Sequence, residues 1–323
     1  MSLDGKFALI TGSSRGIGKG IALKLAASHV KVAVHYYQNE EAAKNTLAEI
    51  RKVGSDGFVI QGDVSQPEQI EALFRRVKKE FGALDIFVSN ARPEIPAFFQ
   101  PPMEVSLEQW DTAFDSQAKA FLVGVRQAVP LMSAGGRIFA ITYAEGSRTG
   151  GLQPWAGMGS AKAALESLVR YFAVAVAKRG ITVNAISPGW TEDSVFNTLP
   201  EQAQDLIRNW HTGGWTPMGR LGTPQDIGNA LLLQLRHDLV VLVPAAGHVV
   251  TIDEDASPLV ENFSERVRTG SLAHSRPDSA SWPARAPAPE WTPIRLSPFG
   301  SACGPAASGS PAARARASPS SVR

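Results

Sequence analysis

Three glycines, Gly12, Gly16 and Gly18, stand between the apolar run Phe7-Ala-Leu-Ile10 and a stripe of Ile17, Ile21, Leu25 and Ala26 at helical spacing. A short strand buried on both faces, a glycine turn and a helix make a suitable cradle for a dinucleotide. The glycines let backbone approach the pyrophosphate, whose charge sits on the helix N-terminus. Ser14, Arg15 and Ile17 complete the turn as candidate contacts. The Arg15 guanidinium can pair with a ribose 2′-phosphate, the plain alternative being a solvated loop charge. The next strand ends at Tyr36, and no carboxylate follows until Glu40. An acid there would bind the ribose hydroxyls of NAD and repel the extra phosphate of NADP. Tyr36 and Arg15 together therefore favour NADP(H) over NAD(H).

Holding such a turn requires a sheet, and the chain alternates strand and helix patterns. Apolar or alternating runs predict strands over 30–36, 58–64, 84–91, 136–146 and 181–189. Amphipathic patterns predict helices over 40–52, 68–81, 107–131 and 155–176. This order predicts an α/β fold: a doubly wound parallel sheet of Rossmann type, three layers deep, in one domain. Lys162 stands among Ala161, Ala163 and Ala164, where packing alone gives little reason for a cation, and it is a candidate cofactor ligand. Residues 93–103 lie where ligands bind in such sheets. The segment 190–222 carries Trp190, Phe196, Trp210 and Trp215. An apolar or aromatic small-molecule substrate under this loop is the functional reading; a packed lid is compatible with it.

Thr11-Gly-x-x-x-Gly-Ile-Gly18 resembles the cofactor motif of the short-chain dehydrogenase/reductase superfamily, and later segments follow that family in order to about residue 230. The resemblance implies further site residues. Asp63, with Val64 after it, would hold the adenine amino group; the alternative, a helix N-cap, falls to Ser65. Asn90 and Ala91 match the family's Asn-Asn-Ala-Gly segment, with Arg92 in place of the glycine, near the cofactor or the mouth of the cleft. Gln117 takes the place of an asparagine that supports a proton-relay water. Pro188, Gly189 and Thr191, with Ile186, would cover the nicotinamide. The helix bearing Lys162 commonly builds a dimer contact in the family, implying a homodimer or homotetramer.

The catalytic stretch departs from the family pattern. Tyr-x-x-x-Lys is expected, and Lys162 is in place, but Met158 occupies the tyrosine position. Met158-Gly-x-x-Lys162, followed by Leu-Glu-x-x-Val-Arg-Tyr, is similar to the enoyl-(acyl-carrier-protein) reductases. Their active tyrosine, seven residues before the lysine, falls here on Trp155, and a second tyrosine at a strand end falls on Tyr143. Tyr143 is thus the candidate acid, with ordinary strand-end packing as the alternative. Trp155, Met158, Trp190, Phe196 and Arg92 are the candidate pocket. The favoured function is NADPH-dependent reduction of an apolar carbonyl or conjugated enoyl compound. The alternative is an NADP-binding protein lacking the usual tetrad, either a non-redox cyclase or a non-catalytic binder.

Residues 1–256 are expected to form the domain, with 231–256 atypical; Gly247–Asp253 partly recovers a last strand. Residues 257–323, rich in Pro, Ala, Ser and Arg, are expected to be disordered. The net charge of +2 gives no argument for nucleic acid, and no segment reads as a membrane span. The single cysteine, Cys303, excludes an internal disulfide framework and the usual cysteine-based metal sites. With no signal-peptide pattern at the start, the expectation is a cytoplasmic protein without a metal.

Overall fold

The computed structural model describes residues 2–94, 100–143, 155–216, 218–236, 240–242 and 250–252. The expected disordered tail, residues 257–323, lies outside the described residues. Strands β1 (Phe7–Ile10), β2 (Lys31–Tyr36), β3 (Gly57–Gln61), β4 (Ile86–Ser89), β5 (Arg137–Ile141) and β6 (Thr182–Ile186) form one parallel sheet. Its order, β3-β2-β1-β4-β5-β6, places the switch point between β1 and β4. The crevice at the carboxyl ends of those two strands is where such sheets bind ligands.

Helices cover both faces because the strands are apolar on both. Ala8, Ile10, Val34, Val88 and Ile141 pack with helices α1 (Gly16–Ala26), α2 (Glu40–Lys52) and α8 (Pro224–Arg236). Leu9, Phe87, Ile138 and Val183 face the other layer: α3 (Pro67–Phe81), α5 (Ala120–Ala128) and α6 (Ala156–Val176). The Asn39 side chain caps α2 by accepting from the Ala42 amide at 2.9 Å. Contrary to expectation, Ser65 does not cap α3. Gln66 holds that position, and Ser65 instead donates its amide and hydroxyl to Asp63.

The expected helix over 107–131 is broken. It comprises α4 (Leu107–Phe114), a π turn over Asp115–Lys119, α5, and a final 3₁₀ turn over Val129–Leu131. A π turn inserts one residue into the helical ladder and re-aims its side chains, and Gln117 lies within it. The fifth strand ends at Ile141, before the expected boundary, and residues 144–154 lie outside the described residues. Beyond α8, β7 (Val240–Leu242) and β8 (Val250–Ile252) pair antiparallel with one another. The expected last strand of the main sheet is thus replaced, among the described residues, by a separate two-stranded unit.

Helices α1 and α8 approach closely at Gly20, where an added Cβ would lie 2.5 Å from Pro224 Cβ and from its carbonyl oxygen. Gly20→Ala must push the helices apart against a fully packed layer. It is expected to destabilise the protein by about 1–3 kcal/mol, read as a lower midpoint in urea unfolding. An unchanged midpoint would show that α8 can slide without cost.

Candidate active site

The glycine turn is clamped on three sides. Gly12 adopts φ +67°, and a Cβ there would fall 2.9 Å from Ala91 Cα. Its amide donates to His35 Nδ1 at 2.9 Å, while its carbonyl accepts from Asn90 Nδ2 at 3.2 Å. Asn90 Nδ2 also donates to the Thr11 carbonyl at 2.9 Å. The Thr11 hydroxyl oxygen in turn accepts from the amides of Asn90 and Ala91, at 2.9 and 3.1 Å. Gly18 lies so close to the Gly12 carbonyl that a Cβ would meet it at 2.4 Å. The Ser14 carbonyl is held by the Thr46 hydroxyl at 3.0 Å.

Helix α1 opens directly from this turn. Arg15 is its N-cap and makes no side-chain cap, and the first turn, which contains Ile17, carries no acid. Its N–H groups and positive dipole end therefore suit an anion. The exposed Arg15 guanidinium pairs with Glu94 at 3.2 Å across the cleft mouth. Tyr36, buried at the end of β2, and Asp63 and Val64, after β3, border the same side. The Asp63 carboxylate is engaged by Ser65 at 2.8 Å. A small cavity below is lined by Thr11, Val64, Ser89, Ala91, Ser116 and Ala120. These features fit a dinucleotide laid across the switch point.

On the far side of the crevice, β5 delivers Thr142 and Tyr143 opposite the start of α6. Tyr143, Trp155 and Trp190 pack as a trio, with ring centroids 5.1, 6.2 and 5.7 Å apart, and Met158 joins them. Phe196 is fully buried behind Trp190, at 6.3 Å, so it backs the wall. Its own ring is covered by the guanidinium of Arg208, on helix α7 (Glu201–Trp210), at 4.9 Å. The side chain of Trp215 lies outside the described residues.

Lys162, one helical turn after Met158, is buried, and its Nζ donates to the Ile141 carbonyl at 2.6 Å. Burial first, then the nearby Arg92 charge, lower its pKa to about 7, while Glu166 opposes the shift. Arg92 is itself held below its ordinary value by burial, with Glu94 opposing and Arg15 adding to the shift. Its Nη1 donates to the Pro93 carbonyl at 2.8 Å. Gln117 is buried and sends Nε2 to the Ala91 carbonyl at 3.2 Å, the floor of the crevice.

The loop after β6 returns over the glycine turn. Pro188 is buried, Gly189 is exposed, and the Thr191 hydroxyl donates to the Gly189 carbonyl at 3.0 Å. The Asp193 carbonyl lies against Gly16, only 2.6 Å from where a Cβ would stand. Three contributors escaped sequence reasoning. His35 was hidden inside an apolar strand. Thr142 and Glu166 share a hydrogen bond of 2.7 Å, signalled only by Glu166 lying one turn beyond Lys162.

Residues 12–253 match the family model described as "Enoyl-(Acyl carrier protein) reductase". The chain belongs to the short-chain dehydrogenase/reductase family. The match runs past residue 230, where the resemblance was expected to end. Among relatives, the chain is 35% identical over 241 residues to a hydroxynaphthalene reductase-like protein Arp2 of Metarhizium robertsii, covering 71% of this chain and 88% of that one. It is 41% identical over 233 residues to 1-cyclohexenylcarbonyl-CoA reductase of Streptomyces collinus, covering 70% and 79%. The crystal structure of the angucycline C-6 ketoreductase LanV with bound NADP shares 32% identity, with a TM-score of 0.65 over 72% of this chain and 90% of that one. Among the described residues no helix is long and apolar enough to cross a membrane, and no cluster of metal-ligating side chains occurs.

Proposed function

We propose that this member of the short-chain dehydrogenase/reductase family reduces an apolar or aromatic carbonyl, or a C=C bond conjugated to one, using NADPH. The observation that carries this reading is the Tyr143–Trp155–Trp190 wall standing beside Lys162 at the carboxyl end of β5. Flat apolar substrates gain burial and offset stacking against such a wall. The named activities of the two relatives, on a hydroxynaphthalene and on a cyclohexenyl thioester, support an aromatic or conjugated substrate.

NADPH, when bound, would supply the hydride, and negative charge would develop on the oxygen of the substrate carbonyl or enolate. The N–H groups at the start of α1 would hold the pyrophosphate and Arg15 the 2′-phosphate. Tyr143 would hydrogen-bond the substrate oxygen and give up its phenolic proton. Lys162 would hold the nicotinamide ribose, and its protonated form, dominant below about pH 7, would favour ionisation of the phenol. Gln117 would support the return of a proton from water. Exposed Tyr171 and Val174 on α6 support a homodimer or homotetramer built on that helix.

Fluorescence titration of the purified protein with NADPH and, in parallel, NADH tests the cofactor assignment. Tight NADPH and weak NADH binding is the expected result. Arg15→Ala should weaken NADPH about tenfold and leave NADH unchanged. Turnover is then sought with aryl ketones, quinones and enoyl thioesters. NADPH bound but never consumed would replace this reading with a non-redox one, consistent with Met158 standing where the family carries its acid.

A further inference from the structure

His35 sits in β2 with 1% of its surface exposed, a polar ring among apolar side chains. Its Nδ1 faces the Gly12 amide at 2.9 Å and its Nε2 faces the Gly62 carbonyl at 3.1 Å. Because an amide can only donate, Nδ1 must be the acceptor, which puts the proton on Nε2 for Gly62. The main chain of His35 is tied to the same turn. Its amide donates to Ser13 Oγ and its carbonyl accepts from the Ser13 amide, both at 3.0 Å. Burial holds the ring pKa down at about 4, with the Gly62 bond and then the Asp63 charge opposing, so the imidazole stays neutral and keeps one acceptor and one donor.

We infer that His35 is a positioning residue for the cofactor: it ties the pyrophosphate turn after β1 to the adenine wall after β3. Gly12 belongs to the turn that presents the helix N-terminus. Gly62 immediately precedes Asp63 and Val64, which border the adenosine side. One rigid five-membered ring spans both, so the separation of the two half-sites is set by a side chain that never touches the dinucleotide. The Gly12 carbonyl is fixed independently by Asn90. Losing His35 therefore frees one edge of the turn without dissolving it, and the effect belongs to cofactor affinity rather than to chemistry. The inference rests on the NADPH assignment above.

The test uses the full chain with NADPH as the probe. His35→Leu removes both bonds, whereas His35→Asn keeps an acceptor near the Nδ1 position. His35→Leu should raise the NADPH dissociation constant about tenfold or more, with turnover at saturating NADPH retained. His35→Asn, which keeps the Gly12 bond and loses the Gly62 one, should fall between the parent protein and His35→Leu. Wild-type ¹⁵N-histidine spectra should show a pyridine-type Nδ1 and a pyrrole-type Nε2, both moving on NADPH addition. The inference is overturned by a folded His35→Leu variant that binds NADPH normally, by His35→Asn binding NADPH as tightly as the parent protein, or by the reverse tautomer. If His35→Leu does not fold, the spectra and the asparagine variant decide. A parent protein that does not bind NADPH defeats the cofactor assignment itself, an outcome separable from a displaced tautomer.

Discussion

Tyr143→Phe should lower kcat by about 10²–10⁴-fold, the usual worth of a positioned general acid, while the NADPH dissociation constant stays put. The substitution is informative because the ring is already accounted for. It packs 5.1 Å from Trp155 and 6.2 Å from Trp190, and phenylalanine keeps both contacts. Only the hydroxyl is removed. Neither neighbouring side chain can replace it, since Met158 has no proton to give and the Trp155 indole is a very weak acid. In the proposed reaction hydride arrival would load negative charge onto the substrate oxygen, and without a donor that charge would have to be solvated by whatever water remains under an aromatic wall. The loss should therefore appear in kcat at saturating substrate. Turnover within a factor of about two of the parent would remove Tyr143 from the mechanism. It would leave Lys162, the other proton carrier of the site, as the group to examine.

The fold was legible because its signal is local and repeated. Each strand of the six-stranded sheet announces itself as a short apolar run, and the boundaries of β1 and α2 coincide with the expected ones. Where expectation failed, the determinant was tertiary. Nothing in Asp115-Ser-Gln-Ala-Lys119 breaks helical periodicity. The π turn is visible only once Gln117 is seen reaching the Ala91 carbonyl from a neighbouring strand exit. The antiparallel pairing of β7 with β8 likewise depends on which edge a strand finds, and strand pattern alone does not encode that choice. The site divides the same way. The close approach at Gly12 and the burial of Lys162 are legible because a glycine between strand and helix and a lysine among alanines are unusual where they stand. His35 was silent because a lone histidine in an apolar strand is, more often than not, simply a satisfied core residue. Its two bonds span residues 12 and 62, and neither spacing forms a motif.

Lys162→Met is expected to abolish most of the activity while making the protein more stable at mildly acid pH. The Lys162 ammonium is buried at the end of β5 with the Ile141 carbonyl as acceptor at 2.6 Å. Burial and the Arg92 charge hold its pKa at about 7 against an ordinary 10.5, even with Glu166 opposing. The sign follows from proton counting. Between pH 7 and 10.5 the unfolded chain keeps a proton on this lysine that the folded chain has released, so stability rises with pH across that window. Below pH 7 both states are charged, and the folded state bears the full desolvation cost, on the order of a few kcal/mol. Methionine has similar reach and carries no charge, and it forfeits only the bond to Ile141. The variant should therefore melt about 5 °C higher at pH 6, with the gap closing as pH approaches 10. A lower melting point at pH 6, or a gap independent of pH, would show that the ammonium is accommodated without penalty. The expected pairing of lost turnover with gained stability is what separates a group retained for chemistry from one retained for packing, because a packing residue loses both together.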